Sequence, residues 1–342
     1  MFVLDNGSRL VIPRTELTYP SHLMKLHENA ARAPVDHVMA DFEDACPYEF
    51  KGPRSREVMV EALTTIDFGD RVVVIRPNNV RSRFFRGDLE AVMLGAPDRF
   101  HGVILPKTNE PEDVVVVDRL LTTLEEEGGW TTRVRIEALI ETPLAVENAF
   151  RIATASDRMS GLIFGIADFA SAMGVSEMVK GQNQHFHYAK QRTVVAAKAA
   201  GLHAIDNAFL TLIRRDTTEE DKARIEADLR EKVEGSAALG MDGTWVIHPQ
   251  QAEISNAAFT PTPDELAEAR HALTYYHEQG GGAIYDATYG KFHDEATIKG
   301  LLMQLAKGVQ AGTVEPAFLA DMARRSAEVS GYDILEMMRR VA

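Results

Sequence analysis

Eight short apolar runs rich in β-branched residues recur along this chain, and stretches with helical periodicity separate them. The runs are Leu10–Ile12, His37–Phe42, Arg71–Ile75, Gly102–Leu105, Val134–Ile140, Leu162–Gly165, His203–Ile205 and Thr244–Ile247. Between them, segments such as Pro111–Leu124, Pro143–Ala155 and Tyr188–Ala200 place apolar residues at i, i+3, i+4 and i+7, the period of a helix with one buried face. Strand–helix units repeated in this way build a parallel sheet, and eight of them close it into a TIM-type (β/α)8 barrel. An open doubly wound sheet is the alternative. No G-x-G-x-x-G follows the first run and no G-x-x-x-x-G-K-[ST] occurs, so neither nucleotide fingerprint supports that alternative.

The chain's 342 residues exceed the roughly 250 of a simple barrel, which leaves room for an appendage. The pattern changes after Pro249. Pro261 and Pro263 introduce an amphipathic helix, Asp264–Gln279, which Gly280, Gly281 and Gly282 end. A short loop, Ala283–His293, leads into helices near Glu295–Lys307 and Pro316–Arg340. The expected division is a catalytic barrel over 1–262 and a C-terminal helical lid and oligomerisation region over 263–342. The glycine triplet serves either as a hinge or as a helix C-cap followed by a turn.

Composition narrows the partners. A formal net charge of −14 argues against nucleic acid, which needs a basic face. The lone cysteine, Cys46, excludes a disulfide framework and any Cys-based zinc or iron–sulfur site. No apolar run reaches the roughly 18–20 residues of a membrane span, and residues 1–20 carry no signal-peptide apolar region. The expectation is a soluble, cytoplasmic protein.

Almost every run ends in a charged or polar residue. The second leads into Asp41, Glu43 and Asp44, the third into Arg76, and the fourth into Lys107. Glu141, Asp168, Asp206 and His248 follow the remaining four. In a β/α barrel the C-terminal edge of the strands is the face where active sites are built. Charges converging on one mouth repel one another unless something holds them, and a hard divalent cation is what we infer. Glu141 and Asp168 follow adjacent strands, and carboxylates plus water are how Mg²⁺ is held, with Mn²⁺ as a substitute. Zinc would call for His or Cys, which this edge barely supplies. Asp168 is alternatively an N-cap for a helix starting at Phe169. His185 and His187 form an H-x-H, read as a loop-to-helix entry in preference to a metal site.

Arg76 has two compatible roles. Its guanidinium can bind a carboxylate in a fork or stabilise an oxyanion beside the metal, and it can pair structurally with Glu43 or Asp44. Lys107 is either a Schiff-base lysine or, in better accord with a metal site, a charge-balancing or phosphate-contacting group.

These residues, in this order, resemble the citrate lyase β-subunit-like family, also called the HpcH/HpaI aldolase superfamily, and within it the malyl-CoA and citramalyl-CoA lyases. The segments that carry the likeness include Asp41-Phe42-Glu43-Asp44-Ala45, Val74-Ile75-Arg76-Pro77-Asn78, Leu105-Pro106-Lys107 and Ile140-Glu141-Thr142-Pro143. Phe164-Gly165-Ile166-Ala167-Asp168 and Trp245-Val246-Ile247-His248-Pro249 continue it. The resemblance implies Mg²⁺ on Glu141 and Asp168, Glu43 and Asp44 as acids holding the metal's waters, and Arg76 gripping an α-oxo acid. It implies a homotrimer or homohexamer in which a lid aspartate, matched here by Asp294, reaches the neighbouring subunit's barrel. The implied reaction is reversible cleavage of a 3-hydroxyacyl-CoA, such as malyl-CoA, β-methylmalyl-CoA or citramalyl-CoA, into acetyl- or propionyl-CoA and a 2-oxo acid, glyoxylate or pyruvate. Arg76 would stabilise the acyl-CoA enolate and Asp294 would protonate it. Arg14 and Lys25 are candidates for the CoA phosphates. The sequence departs from the pattern at Asn207, at the loop Ala283–Tyr289 and at His293, which bears on acyl-chain preference. A citrate lyase β-type subunit cleaving a citryl thioester and a CoA-independent 2-oxo acid aldolase are the rival readings.

Overall fold

The computed structural model describes residues 2–3, 9–10, 12–175 and 186–330. Eight parallel strands close into a barrel: β1 (Thr15–Pro20), β2 (His37–Asp41), β3 (Val72–Arg76), β4 (Gly102–Leu105), β5 (Arg135–Ile140), β6 (Met159–Phe164), β7 (His203–Asp206) and β8 (Gly243–Val246). Each strand pairs with its successor, and β8 returns to β1 through Thr244↔Thr15, Trp245↔Glu16 and Val246↔Leu17. Helices follow the strands in turn: α1 (Met24–Ala30), α2 (Pro53–Thr65), α3 (Phe85–Gly95), α4 (Pro111–Gly128), α5 (Pro143–Ala153), the pair α6 (Ile166–Ala172) and α7 (His187–Ala199), α8 (Glu219–Ala238) and α9 (Ala252–Ala258). The barrel expected from the repeated units is therefore present. Among the described residues no helix is long and apolar enough to cross a membrane.

One strand differs from the sequence reading. The first barrel strand is Thr15–Pro20, not Leu10–Ile12. Arg9–Leu10 instead pairs antiparallel with Phe2–Val3, and Ile12 is buried among Leu266, Leu273, Leu302 and Leu305. The true β1, Thr-Glu-Leu-Thr-Tyr-Pro, opens with two polar residues, Thr15 and Glu16, both wholly buried. A polar residue pointing into the barrel disguised the strand.

Strand alternation sorts side chains between two cores. Met39, Val74, Ile104, Leu139, Ile163, Ile205 and Trp245 fill the barrel interior. Residues such as Val38, Val73, Val103, Ala138, Leu162 and Ala204 face outward, into the larger cluster that includes apolar residues of the surrounding helices. This alternation corrects one expectation. Ile205 points in, so Asp206 points out: it is fully buried and held by Lys190 at 2.9 Å and Lys232 at 3.0 Å. It does not contribute to the mouth.

The chain divides into two compact units, one of Pro13–Phe259 and one joining residues 1–12 to Thr260–Ala342. The second contains α10 (Pro263–Glu278), α11 (Glu295–Gln310) and α12 (Pro316–Ser330). The segment read as a loop between α10 and α11 is a hairpin, Ile284–Asp286 paired with Lys291–His293. Gly280, Gly281 and Gly282 all adopt φ near +80°, a left-handed run that glycine enters without steric cost.

Candidate active site

The strand ends bring a charged cluster together. Asp41 and Arg76 lie opposite one another in the β2–β3 register, and two-residue steps from Met39 and Val74 point both inward. The Arg76 guanidinium is buried and bound in a fork, Nε to Asp41 Oδ1 at 2.8 Å and Nη2 to Oδ2 at 2.5 Å. Asp41 also accepts the backbone N–H groups of Glu43 and Ala45, each at 2.8 Å. Burial opposes ionisation of Asp41, but the charge of Arg76 and these bonds prevail and lower its pKa. The closest partner of Arg76 is therefore Asp41, and Nη1, which Asp41 does not hold, makes the longer ion pairs expected with Glu43 at 3.6 Å and Asp44 at 4.0 Å. From the interior side the Trp245 ring sits under the guanidinium, 5.4 Å from centroid to carbon, a cation–π arrangement.

Lys107 closes the cluster. Its backbone is left-handed, φ +51°, an uncommon conformation for a residue with a side chain. That turn aims its backbone N–H at Glu141 Oε1, 2.6 Å away. Its ammonium meets Glu43 at 2.7 Å and Asp44 at 3.4 Å. Burial works against the charged amine, but the bond to Glu43 and the carboxylates of Glu43, Asp44 and Asp168 outweigh it and raise the pKa of Lys107. A Schiff-base nucleophile needs the opposite shift, so the charge-balancing role fits.

Glu141 sits at the rim because the chain turns at once into a helix. Thr142 caps α5, accepting from Ala145 N–H at 3.1 Å, and Pro143 occupies its first turn. Glu141 is buried, and its carboxyl is pushed up to about 8, first by burial and then by the negative charge of Asp168. A buried carboxyl whose proton affinity is raised by a neighbouring carboxylate in this way is one that a cation would relieve. Glu141 and Asp168 thus suit a hard divalent ion. Asp168 is half-buried in the first turn of α6, whose N-cap is Gly165. The alternative reading of Asp168 as a cap before Phe169 is corrected accordingly.

Gly165 is a requirement that the sequence reading did not single out. A Cβ there would lie 2.6 Å from Glu141 Cβ and 2.7 Å from Glu141 Oε2. Gly165→Ala is expected to displace Glu141 and to lower stability by about 1–3 kcal/mol, the usual range for overpacking. A urea midpoint equal to the parent's would show that the rim gives way freely.

The remaining candidates fall elsewhere. Lys25 is exposed on α1, which follows the mouth end of β1. Arg14 is on the opposite rim, before β1, with its guanidinium on Asp36 at 2.7 Å, so it is corrected as a contact for a ligand at the mouth. Asp294 belongs to the other unit, where it caps α11 by accepting Thr297 N–H at 3.0 Å. His185 lies outside the described residues, and His187 is exposed as the first residue of α7.

A closed β/α barrel with acids, an arginine and a lysine gathered at the C-terminal ends of its strands has the architecture of a barrel enzyme. Residues 14–249 match the HpcH/HpaI aldolase/citrate lyase family. An L-malyl-CoA/β-methylmalyl-CoA lyase of Cereibacter sphaeroides is 29% identical over 88% of this chain and 93% of its own. A citrate lyase subunit beta of Leuconostoc mesenteroides is 30% identical over 82% of this chain and 87% of its own. Among solved structures, the protein CitE of Mycobacterium tuberculosis, in complex with magnesium, acetoacetate and coenzyme A, superimposes with a TM-score of 0.66 at 25% identity, covering 87% of this chain and 98% of that one. This chain belongs to the HpcH/HpaI aldolase/citrate lyase family, and it is a lyase.

Proposed function

We propose that the protein is a Mg²⁺-dependent carbon–carbon lyase that reversibly cleaves a 3-hydroxyacyl-CoA. Malyl-CoA, β-methylmalyl-CoA and citramalyl-CoA are the candidate substrates, and acetyl- or propionyl-CoA plus glyoxylate or pyruvate the products. The observation that carries this reading is the mutually repelling Glu141–Asp168 pair beside a guanidinium already locked by Asp41. The names of the curated relatives support the same chemistry.

Glu141 and Asp168 would hold the cation, with Mn²⁺ as a substitute, and Glu43 and Asp44 would accept from its waters. When bound, the cation supplies Lewis acidity toward the substrate's hydroxyl and carboxylate oxygens. In cleavage the hydroxyl proton passes to solvent water at the mouth, the bond between carbinol carbon and acyl α-carbon breaks, and its electron pair passes to the thioester as an enolate. Arg76 offers the one nitrogen that Asp41 leaves free, Nη1, to the developing oxyanion. Asp294, from a neighbouring subunit's lid, returns a proton to the α-carbon, and in synthesis it removes that proton as general base. Lys107 balances the charge of Glu43 and Asp44, its ammonium lying 2.7 Å and 3.4 Å from their oxygens, and Lys25 is the remaining candidate for the CoA phosphates.

A turnover assay across malyl-, β-methylmalyl- and citramalyl-CoA, with Mg²⁺ present or chelated, tests the reading. Turnover of at least one thioester only with metal is the expected result. A second reading, a β-type subunit cleaving a citryl thioester, is favoured by the Leuconostoc relative, and cleavage of citryl thioester alone would replace the first. Cleavage of free hydroxy acids would instead select the CoA-independent aldolase.

Arg76→Lys is expected to lose on the order of a hundredfold in turnover, comparable with removing one oxyanion donor. Lysine keeps the charge but cannot hold Asp41 with two nitrogens and present a third. Near-parental turnover would confine Arg76 to its ion pair.

A further inference from the structure

Deeper in the barrel, the pairing of a glutamate with a glycine on the next strand recurs. Strand β5 carries glutamates at 137 and 141, and opposite them β6 and its extension carry glycines at 161 and 165. Glu137 pairs in register with Gly161, where a Cβ would lie 3.4 Å from Glu137 Cγ and Oε1. That is ordinary contact, so the glycine here is less strictly required than Gly165, where a Cβ would lie 2.6 Å from Glu141 Cβ.

Glu137 has company. Glu16 of β1 and His37 of β2 each offer a ligand atom, and these atoms and one from Glu137 all lie within 4.8 Å of one another. The three residues are 0%, 5% and 5% exposed. Glu16 Oε1, both ring nitrogens of His37 and Glu137 Oε2 have no hydrogen-bond partner. Buried polar atoms are rarely left this way, and each demands an explanation. The other oxygen of Glu16 accepts the indole N–H of Trp245, which orients Oε1 as an outer hydrogen bond orients a metal-bound carboxylate.

The geometry points to a divalent transition-metal ion, Zn²⁺ or Mn²⁺, held by Glu16, His37 and Glu137 in the floor of the barrel, separate from the cation proposed at the mouth. Ligand atoms around a tetrahedral Zn²⁺ lie roughly 3.4 Å apart, and Glu16 Oε1 is already 3.4 Å from His37 Nδ1. The Glu137 ligand atom lies within 4.8 Å of both and would draw closer on binding. An imidazole among the ligands favours Zn²⁺ over Mg²⁺, and the two carboxylates also suit Mn²⁺. Two carboxylates and a dication sum to zero charge, which removes the cost of burying two anions together. Because the site is enclosed, the ion enters as the barrel closes and exchanges slowly afterwards. The competing occupant is a proton, since burial raises both carboxyls, Glu16 to about 7.

The test uses the full chain with the mouth pair removed, Glu141→Ala/Asp168→Ala, produced with Zn²⁺ or Mn²⁺ in the medium and dialysed against chelator. Elemental analysis is expected to find about one equivalent retained, and adding Glu137→Gln, close to isosteric, should release it. Refolding the mouth-free chain from denaturant with Zn²⁺ should raise its melting temperature above that reached in chelator. A folded mouth-free chain that holds no metal by either route would overturn the site and leave a shared proton in its place. Metal retained equally after Glu137→Gln would also overturn it, because the ion would then sit elsewhere. Should Glu137→Gln fail to fold, the melting shift and metal content of the mouth-free chain decide the question. Neither readout depends on the lyase reaction.

Discussion

Turnover is expected to fall by at least about a thousandfold in Glu141→Ala, in Asp168→Ala, and in the parent enzyme in excess chelator, because a bound metal contributes several kcal/mol to transition-state stabilisation. One remaining carboxylate holds a strongly hydrated Mg²⁺ too weakly at ordinary concentrations. The removal also has an electrostatic side. Glu141 is protonated more readily because Asp168 faces it, so Asp168→Ala should lower the Glu141 pKa in the metal-free protein. Titration of the metal-free chain checks that sign. Restoration of the chelated parent by Mg²⁺ or Mn²⁺ completes the expected pattern. Full activity in chelator would remove the metal from the mechanism.

Asp294→Asn separates proton transfer from helix capping. Asparagine caps a helix about as well as aspartate, so the Thr297 contact at α11 survives while the carboxyl is lost. Turnover should drop by about a hundredfold or more, the range for a general acid–base, with substrate binding largely kept. If the lid serves a neighbouring barrel in a homotrimer or homohexamer, mixing Asp294→Asn chains with Glu141→Ala chains restores part of the activity. Such mixed sites join an intact barrel from the first chain to an intact lid from the second. Parental turnover in Asp294→Asn would leave the residue as a cap. A dead variant that mixing cannot rescue, with subunit exchange demonstrated, would place the lid over its own barrel.

Strands with β-branched inward and outward faces were legible because both faces are buried in apolar surroundings. Strand β1 was not, since Glu16 breaks its apolar pattern and the apolar Leu10–Ile12 run competes beside it. Mouth charges were legible from their place after each run, but side-chain direction was not. Direction rests on a one-residue register, and that step separates inward Ile205 from outward Asp206. The fork between Asp41 and Arg76 joins residues 35 positions apart. Only strand pairing brings them face to face, although both ended adjacent runs. Gly165 leaves a quieter signal: its importance lies in the side chain it lacks. The floor cluster draws on three strands, one of them, β5, far in sequence from β1 and β2, and no local pattern announces it.

The barrel unit is an insertion within the other unit, and this orders events during synthesis. Gln310 donates to the carbonyl of Ile12 at 2.7 Å across 298 positions, so residues 1–12 leave the ribosome long before their partners exist. Bridging the roughly 250 intervening residues as loose chain would cost about 5 kcal/mol in loop entropy. Closure of the barrel lowers that cost beforehand, because Thr15 and Asn256, near its two ends, meet at 2.8 Å. A nascent chain would therefore complete its catalytic barrel first, and a ribosome stalled near residue 260 would carry a closed barrel with its opening segment still waiting.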